Sequence, residues 1–137
     1  MRRSNSRREY EPLAAFRYAM RKFLRFSKEL LAIEANLTPE QWEALLALKA
    51  FSTNKGLFVG ELSERLQVRH HTAVSLTDKL VRQKLVTRTR GTSDRRKVHV
   101  ELTRSGAALV NRLAVLHREK LRSLTPELLA ALQGLQE

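Results

Sequence analysis

A chain of 137 residues with 42% apolar and 29% charged side chains fits one compact domain with a modest core. Cysteine is absent, which excludes disulfides, thiolate metal sites and thiol catalysis. There is neither an apolar run of membrane-spanning length nor a basic start followed by an apolar stretch, so a cytoplasmic protein without membrane partners is expected.

The net charge of +12 is unevenly placed. Residues 2–8 hold four arginines and no acid, and Arg65 to Lys97 holds ten basic residues against two acidic ones. The rest of the chain is close to neutral. A short arm and one central block are the footprint of a nucleic-acid contact surface, whereas a merely solvated basic protein would spread its charge.

Residues 1–9 read as a basic arm, and residues 10–137 as a single domain. Leu13, Phe16, Met20, Phe23, Leu30 and Leu31 recur at three- and four-residue steps, predicting a long amphipathic helix from Pro12 to Ala35. Thr38-Pro39-Glu40-Gln41 is a helix start with a capping box, and its helix carries Trp42, Leu45, Leu46 and Leu48 to about Phe51. Residues 52–56 read as a loop.

Two short helices follow, Val59 to Leu66 and His70 to Lys84, separated by Gln67-Val68-Arg69. The first lacks a capping hydroxyl at Phe58 or Gly60, so a ragged start is expected. In the second, Ala73, Leu76, Thr77 and Leu80 form the inner stripe. His70, His71, Thr72, Val74, Ser75, Asp78 and Lys79 lie on the other faces. Thr87 to Arg90 and Val98 to Leu102 are strands joined by turn residues 91–94, giving a two-stranded hairpin with Arg95, Arg96 and Lys97 near its tip. Thr103 caps a long helix through Leu121, and Thr125-Pro126-Glu127 opens a last one.

Two short helices on a three-residue turn, followed by a basic hairpin, suit duplex DNA. The second helix can enter the major groove, where each base pair shows its own pattern. Arg69, His70, His71, Thr72, Val74 and Ser75 are candidates for bases and the nearest phosphates, and Lys79 and Arg82 for phosphates further along. Arginines on a thin β-tip suit the minor groove, which makes Arg88, Arg90, Arg95, Arg96 and Lys97 candidates there. Asp94 is the odd acid, either orienting a tip arginine or serving the turn alone.

From Leu37 to Gly106 the chain resembles the MarR family of winged helix-turn-helix regulators. The resemblance rests on residues 37–42 (Leu-Thr-Pro-Glu-Gln-Trp), 61–66 (Glu-Leu-Ser-Glu-Arg-Leu), 72–80 (Thr-Ala-Val-Ser-Leu-Thr-Asp-Lys-Leu), 85–88 (Leu-Val-Thr-Arg) and 94–103 (Asp-Arg-Arg-Lys-Val-His-Val-Glu-Leu-Thr). It implies a mainly α fold with a small β-hairpin wing, a DNA-binding lobe over 38–103, and dimerisation helices over 12–35 and 105–137. It also implies a homodimer on a palindromic operator, most often a repressor released by a small aromatic or lipophilic ligand. Arg96 takes the place of the family's wing arginine, with Asp94 as its orienting partner. Gln67 stands where glycine is common, and His70-His71 replaces small polar residues, which should change the operator preference.

The resemblance also implies an effector space between the dimer helices and the winged lobe. Phe16, Tyr18, Phe23, Trp42, Leu45 and His117 could line it, but aromatic residues at helical spacing also make a plain core, and both readings stay open. Adjacent His70 and His71 cannot chelate as an i,i+4 pair could, so no metal and no other cofactor is expected. No phosphate-loop, nucleophile-elbow or zinc-protease motif is present, so no enzyme is expected. The alternative is a basic protein that coats nucleic acid without reading it. Such a clamp calls for lysine and arginine where the second short helix carries His, Thr, Val and Ser.

Overall fold

The computed structural model describes residues 6–54, 56–91 and 97–136. Five helices and three short strands follow in the order α1 (Ser6–Ala35), α2 (Pro39–Phe51), β1 (Leu57–Phe58), α3 (Val59–Leu66), α4 (His70–Arg82), β2 (Val86–Arg90), β3 (Val98–Leu102) and α5 (Arg104–Gly134). Among the described residues no helix is long and apolar enough to cross a membrane.

The two long helices run antiparallel and form one lobe. Gly134 near the end of α5 lies against Pro12 near the start of α1. Lys22 pairs with Glu127 at 3.0 Å, and Arg112 with Glu34 at 3.2 Å. Two expectations are corrected here. Residues 6–9 belong to α1 rather than to an arm, and the arm's residues 1–5 lie outside the described residues; Pro12 sits inside the helix and forfeits one backbone bond. The C-terminal stretch is one helix, not two, with Pro126 inside it. The Thr125 hydroxyl donates back to the Leu121 carbonyl at 2.8 Å instead of capping a new start. Leu124 and Ala131, on either side of the proline, are both buried, so packing carries the helix across it.

Helix α2 joins the two lobes. The expected capping box is present: Gln41 N–H donates to Thr38 Oγ1 at 3.2 Å, and Thr38 N–H donates to Gln41 Oε1 at 2.8 Å. Trp42, Ala44, Leu45, Ala47 and Leu48 are buried, more of the helix than a single stripe would cover. They share a core with Leu31, Leu62, Ala73, Leu80, Val86, Val100, Val110 and Leu113.

The wing is a three-stranded sheet in the order β1-β3-β2, all antiparallel, rather than a lone hairpin. Leu57 and Phe58 pair with Val100 and His99. Two residues are too few to show strand alternation, so residues 52–58 gave no strand signal in sequence. Gly56 makes the pairing possible: its φ is +81°, and a Cβ there would lie 2.0 Å from the Val100 carbonyl oxygen.

Helix α3 does start without a capping hydroxyl, but not without a cap. The Glu61 carboxylate accepts the Phe58 N–H at 2.8 Å, which is the backbone half of a capping box. Helix α4 ends at Arg82, two residues before the expected Lys84. Both turns that flank α4 use left-handed residues with side chains, Gln67 at φ +55° and Lys84 at φ +63°. Gln67 recovers part of the cost through a 2.7 Å bond from its amide to the Glu64 carbonyl. The Lys84 side chain is exposed, so Lys84→Gly should raise stability by about 0.5–1 kcal/mol, read as a higher urea midpoint at unchanged slope.

Candidate nucleic-acid interface

Helix α4 rests on α3 through Leu62, Ala73, Leu76 and Leu80, with Thr77 buried and its hydroxyl bonded to the Ala73 carbonyl at 2.8 Å. The inner stripe expected from sequence is the buried one. The opposite face is left to solvent: His70, His71, Val74, Ser75, Lys79 and Arg82 are exposed, as is Arg69 just before the helix. Thr72 is half-buried at the edge of this face. His71, Ser75 and Arg82 form one line along it at helical spacing. Imidazole, hydroxyl and a valine methyl offer chemistry for base edges, while Lys79 and Arg82 offer charge.

The start of α2 and the turn after α4 hold this face in place. Gln41 donates from Nε2 to Gln83 Oε1 at 3.0 Å, joining the α2 cap to the end of α4. The Thr103 hydroxyl donates to the Lys84 carbonyl at 2.8 Å, and Thr103 N–H donates to the Leu85 carbonyl at 3.0 Å. The turn is therefore clamped by α2 on one side and the start of α5 on the other.

On the wing, Lys97 is exposed and its Nζ lies 4.9 Å from the centre of the Phe58 ring, which also meets the His99 ring at 4.3 Å. Gly91 N–H donates to the Lys97 carbonyl at 2.8 Å and closes the hairpin neck. Arg90 is exposed on the last residue of β2. Asp94, Arg95 and Arg96 lie outside the described residues. Arg88, a wing candidate for DNA, is exposed, and its guanidinium forms an ion pair with Asp78 of α4. Strand alternation holds the missed signal: Arg88 is two residues from buried Val86 and so shares its face.

The six candidate effector residues do not converge on one space. Trp42, Leu45 and His117 are buried in the core. The His117 ring stacks on Trp42, with centroids 4.6 Å apart and planes within 11°, and Phe23 meets the same ring edge-on at 6.0 Å. The Leu113 carbonyl can only accept, so His117 Nδ1–H donates to it at 2.8 Å, and Nε2 faces the buried Ser27 hydroxyl, also at 2.8 Å. Both ring nitrogens are thus satisfied within the fold. Phe16 faces a groove of about 470 Å³ along α1, with Met20, Leu24, Arg17 and Arg21. Tyr18 is exposed elsewhere on α1, under the Lys22 ammonium.

The chain is similar to known proteins in sequence and in fold. Residues 35–97, which carry α2 to the wing, match the model of the MarR family. The HTH-type transcriptional repressor MdtR of Bacillus subtilis (strain 168) is 34% identical over 70 residues, 51% of this chain, and the match spans only 43% of that protein's length. The S. aureus MepR–DNA complex superposes with a TM-score of 0.73 at 27% identity, covering 82% of this chain and 80% of that one. A MarR family protein from Bacillus stearothermophilus superposes with a TM-score of 0.74 at 25% identity, covering 89% and 82%. This winged helix-turn-helix chain is thus similar to MarR family proteins, in sequence from α2 to the wing and in fold over both of its lobes.

Proposed function

We propose that the protein is a homodimeric, sequence-specific DNA-binding repressor of transcription, acting in the cytoplasm on a palindromic operator and not as an enzyme. The observation that carries this reading is the solvent face of α4, where His71, Val74 and Ser75 stand among the cations Lys79 and Arg82. A charge clamp has no use for that mixture, whereas a base-reading helix does. The relatives support it as well, MdtR being described as a repressor and MepR having been solved with DNA. Selection of bound duplexes from a random library tests it. Enrichment of one inverted-repeat sequence is expected, and recovery of an unenriched pool would favour a protein that coats DNA without reading it.

Dimerisation is supported by apolar side chains that the single chain leaves uncovered. Leu13, Met20 and Leu24 on α1, and Leu121, Leu129, Leu132 and Leu135 toward the end of α5, are all exposed. Covering them with a second copy also places two reading helices for two half-sites. Sedimentation at micromolar protein should show a dimer, and a stable monomer there would overturn this part. A small aromatic or lipophilic effector finds support in the α1 groove at the edge of that dimer seam, where Phe16 supplies apolar surface beside Arg17 and Arg21.

A further inference from the structure

Asp78 is the one acid between Arg65 and Gly91, and it sits on the exposed side of the helix that faces DNA in the reading above. Its place follows from spacing. Asp78 is three residues from Ser75 and four from Val74 and Arg82, away from the buried Ala73/Leu76/Leu80 stripe. A bare carboxylate there would repel phosphates and weaken binding to any duplex.

Arg88 lies within reach of that carboxylate because of its strand face. Val86, Arg88 and Arg90 share one face of β2 by strand alternation. Val86 is buried, and Val100, the register partner of Arg88, is fully buried. Arg88 therefore leaves the sheet on the Val86 side, which turns its part-exposed guanidinium toward α4. Its Nη1 meets Asp78 Oδ1, with the two side chains 44% and 36% exposed. The guanidinium neutralises the carboxylate, and the contact bridges recognition helix and wing.

We propose that Arg88 is a positioning residue and not a phosphate contact, held by Asp78 so that α4 and the β2–β3 wing present one reading surface. The proposal rests on the DNA-binding reading. It predicts that the pair contributes no counterion release, because the charge of Arg88 is already spent on Asp78.

The test is the salt dependence of binding to a labelled duplex of mixed sequence, followed by fluorescence anisotropy over a potassium chloride series. Arg82→Ala calibrates the scale and should flatten the log–log slope by about 0.9. The double variant Asp78→Asn/Arg88→Gln, which keeps net charge and a neutral hydrogen-bonding pair, should leave the slope unchanged. Asp78→Asn alone should steepen it by up to about 0.9, because Arg88 is released toward the backbone. A double variant as flat as Arg82→Ala, or an Asp78→Asn variant with the parent's slope, would overturn the proposal. Should the double variant fail to fold, the Arg88 Nε–H resonance of the parent decides. It should stay in place on adding duplex, and a shift on binding would put Arg88 on the DNA. A parent protein with no salt-dependent duplex binding would remove the DNA-binding reading itself, an outcome separate from any behaviour of the variants.

Discussion

Replacing Gly106 with alanine is expected to destabilise the protein by about 2–3 kcal/mol, although alanine is the better helix former by about 1 kcal/mol. Gly106 lies in the first turn of α5, where the Thr103 hydroxyl accepts its N–H at 3.0 Å. It is buried against the turn that follows α4. A Cβ built there lies 2.1 Å from the Leu85 carbonyl oxygen, 3.1 Å from the Leu85 carbonyl carbon and 3.2 Å from Leu102 Cδ2. Two of these three atoms are backbone and cannot rotate away. The carbonyl oxygen is moreover the acceptor of the Thr103 N–H, so moving it weakens a second contact. Relief requires α5 to slide against the α4–β2 turn, and both are tied into the same core. Propensity and packing therefore predict opposite signs, and the larger magnitude belongs to packing. Urea unfolding of Gly106→Ala measures it. A variant as stable as the parent would show that α5 moves freely against the reading lobe, which would also remove the clamp on the end of α4.

That contrast marks what could be seen in sequence and what could not. The α4 inner stripe, the Thr38 capping box and the alternation of β3 are local patterns, and each stands where its period placed it. The missed features depend on contacts between segments far apart in the chain. Thr125-Pro126-Glu127 has the local form of a helix start, but buried Leu124 and Ala131 keep α5 on α1 across it. β1 exists because Gly56 lets two residues reach β3. Gln41 looks complete as a capping residue, while its second bond, to Gln83, depends on how α2 meets α4. Arg88 reads in sequence as a wing charge inviting DNA and Asp78 as one outer-face residue of the helix, and the pairing follows only once Val86 fixes the strand face of Arg88. The aromatic residues divide in the same way. Spacing could not say whether they lined a cavity or filled a core, and the stacking of His117 on Trp42 assigns those two to the core.

The largest effect on recognition is expected from His71→Ala combined with Ser75→Ala. These side chains are four residues apart, one turn on the exposed face of α4, with Ala73 and Leu76 buried behind them. Neither has a structural duty that alanine would abolish: both are exposed, and the core stripe does not include them. Each lost base contact should cost about 1–3 kcal/mol on the selected operator, so the double variant should lose between about 2 and 6 kcal/mol if the two act independently. On mixed-sequence duplex the loss should be small, since backbone charge supplies nearly all non-specific affinity and neither substitution removes a lysine or arginine. Arg82→Ala should behave in the reverse manner, weakening both kinds of duplex by similar amounts. Titration of parent, double variant and Arg82→Ala against both duplexes at one salt concentration separates the roles. Equal losses on operator and mixed duplex for the double variant would mean that this face of α4 does not read bases. The preference for one site would then have to come from the wing or from the shape of the DNA.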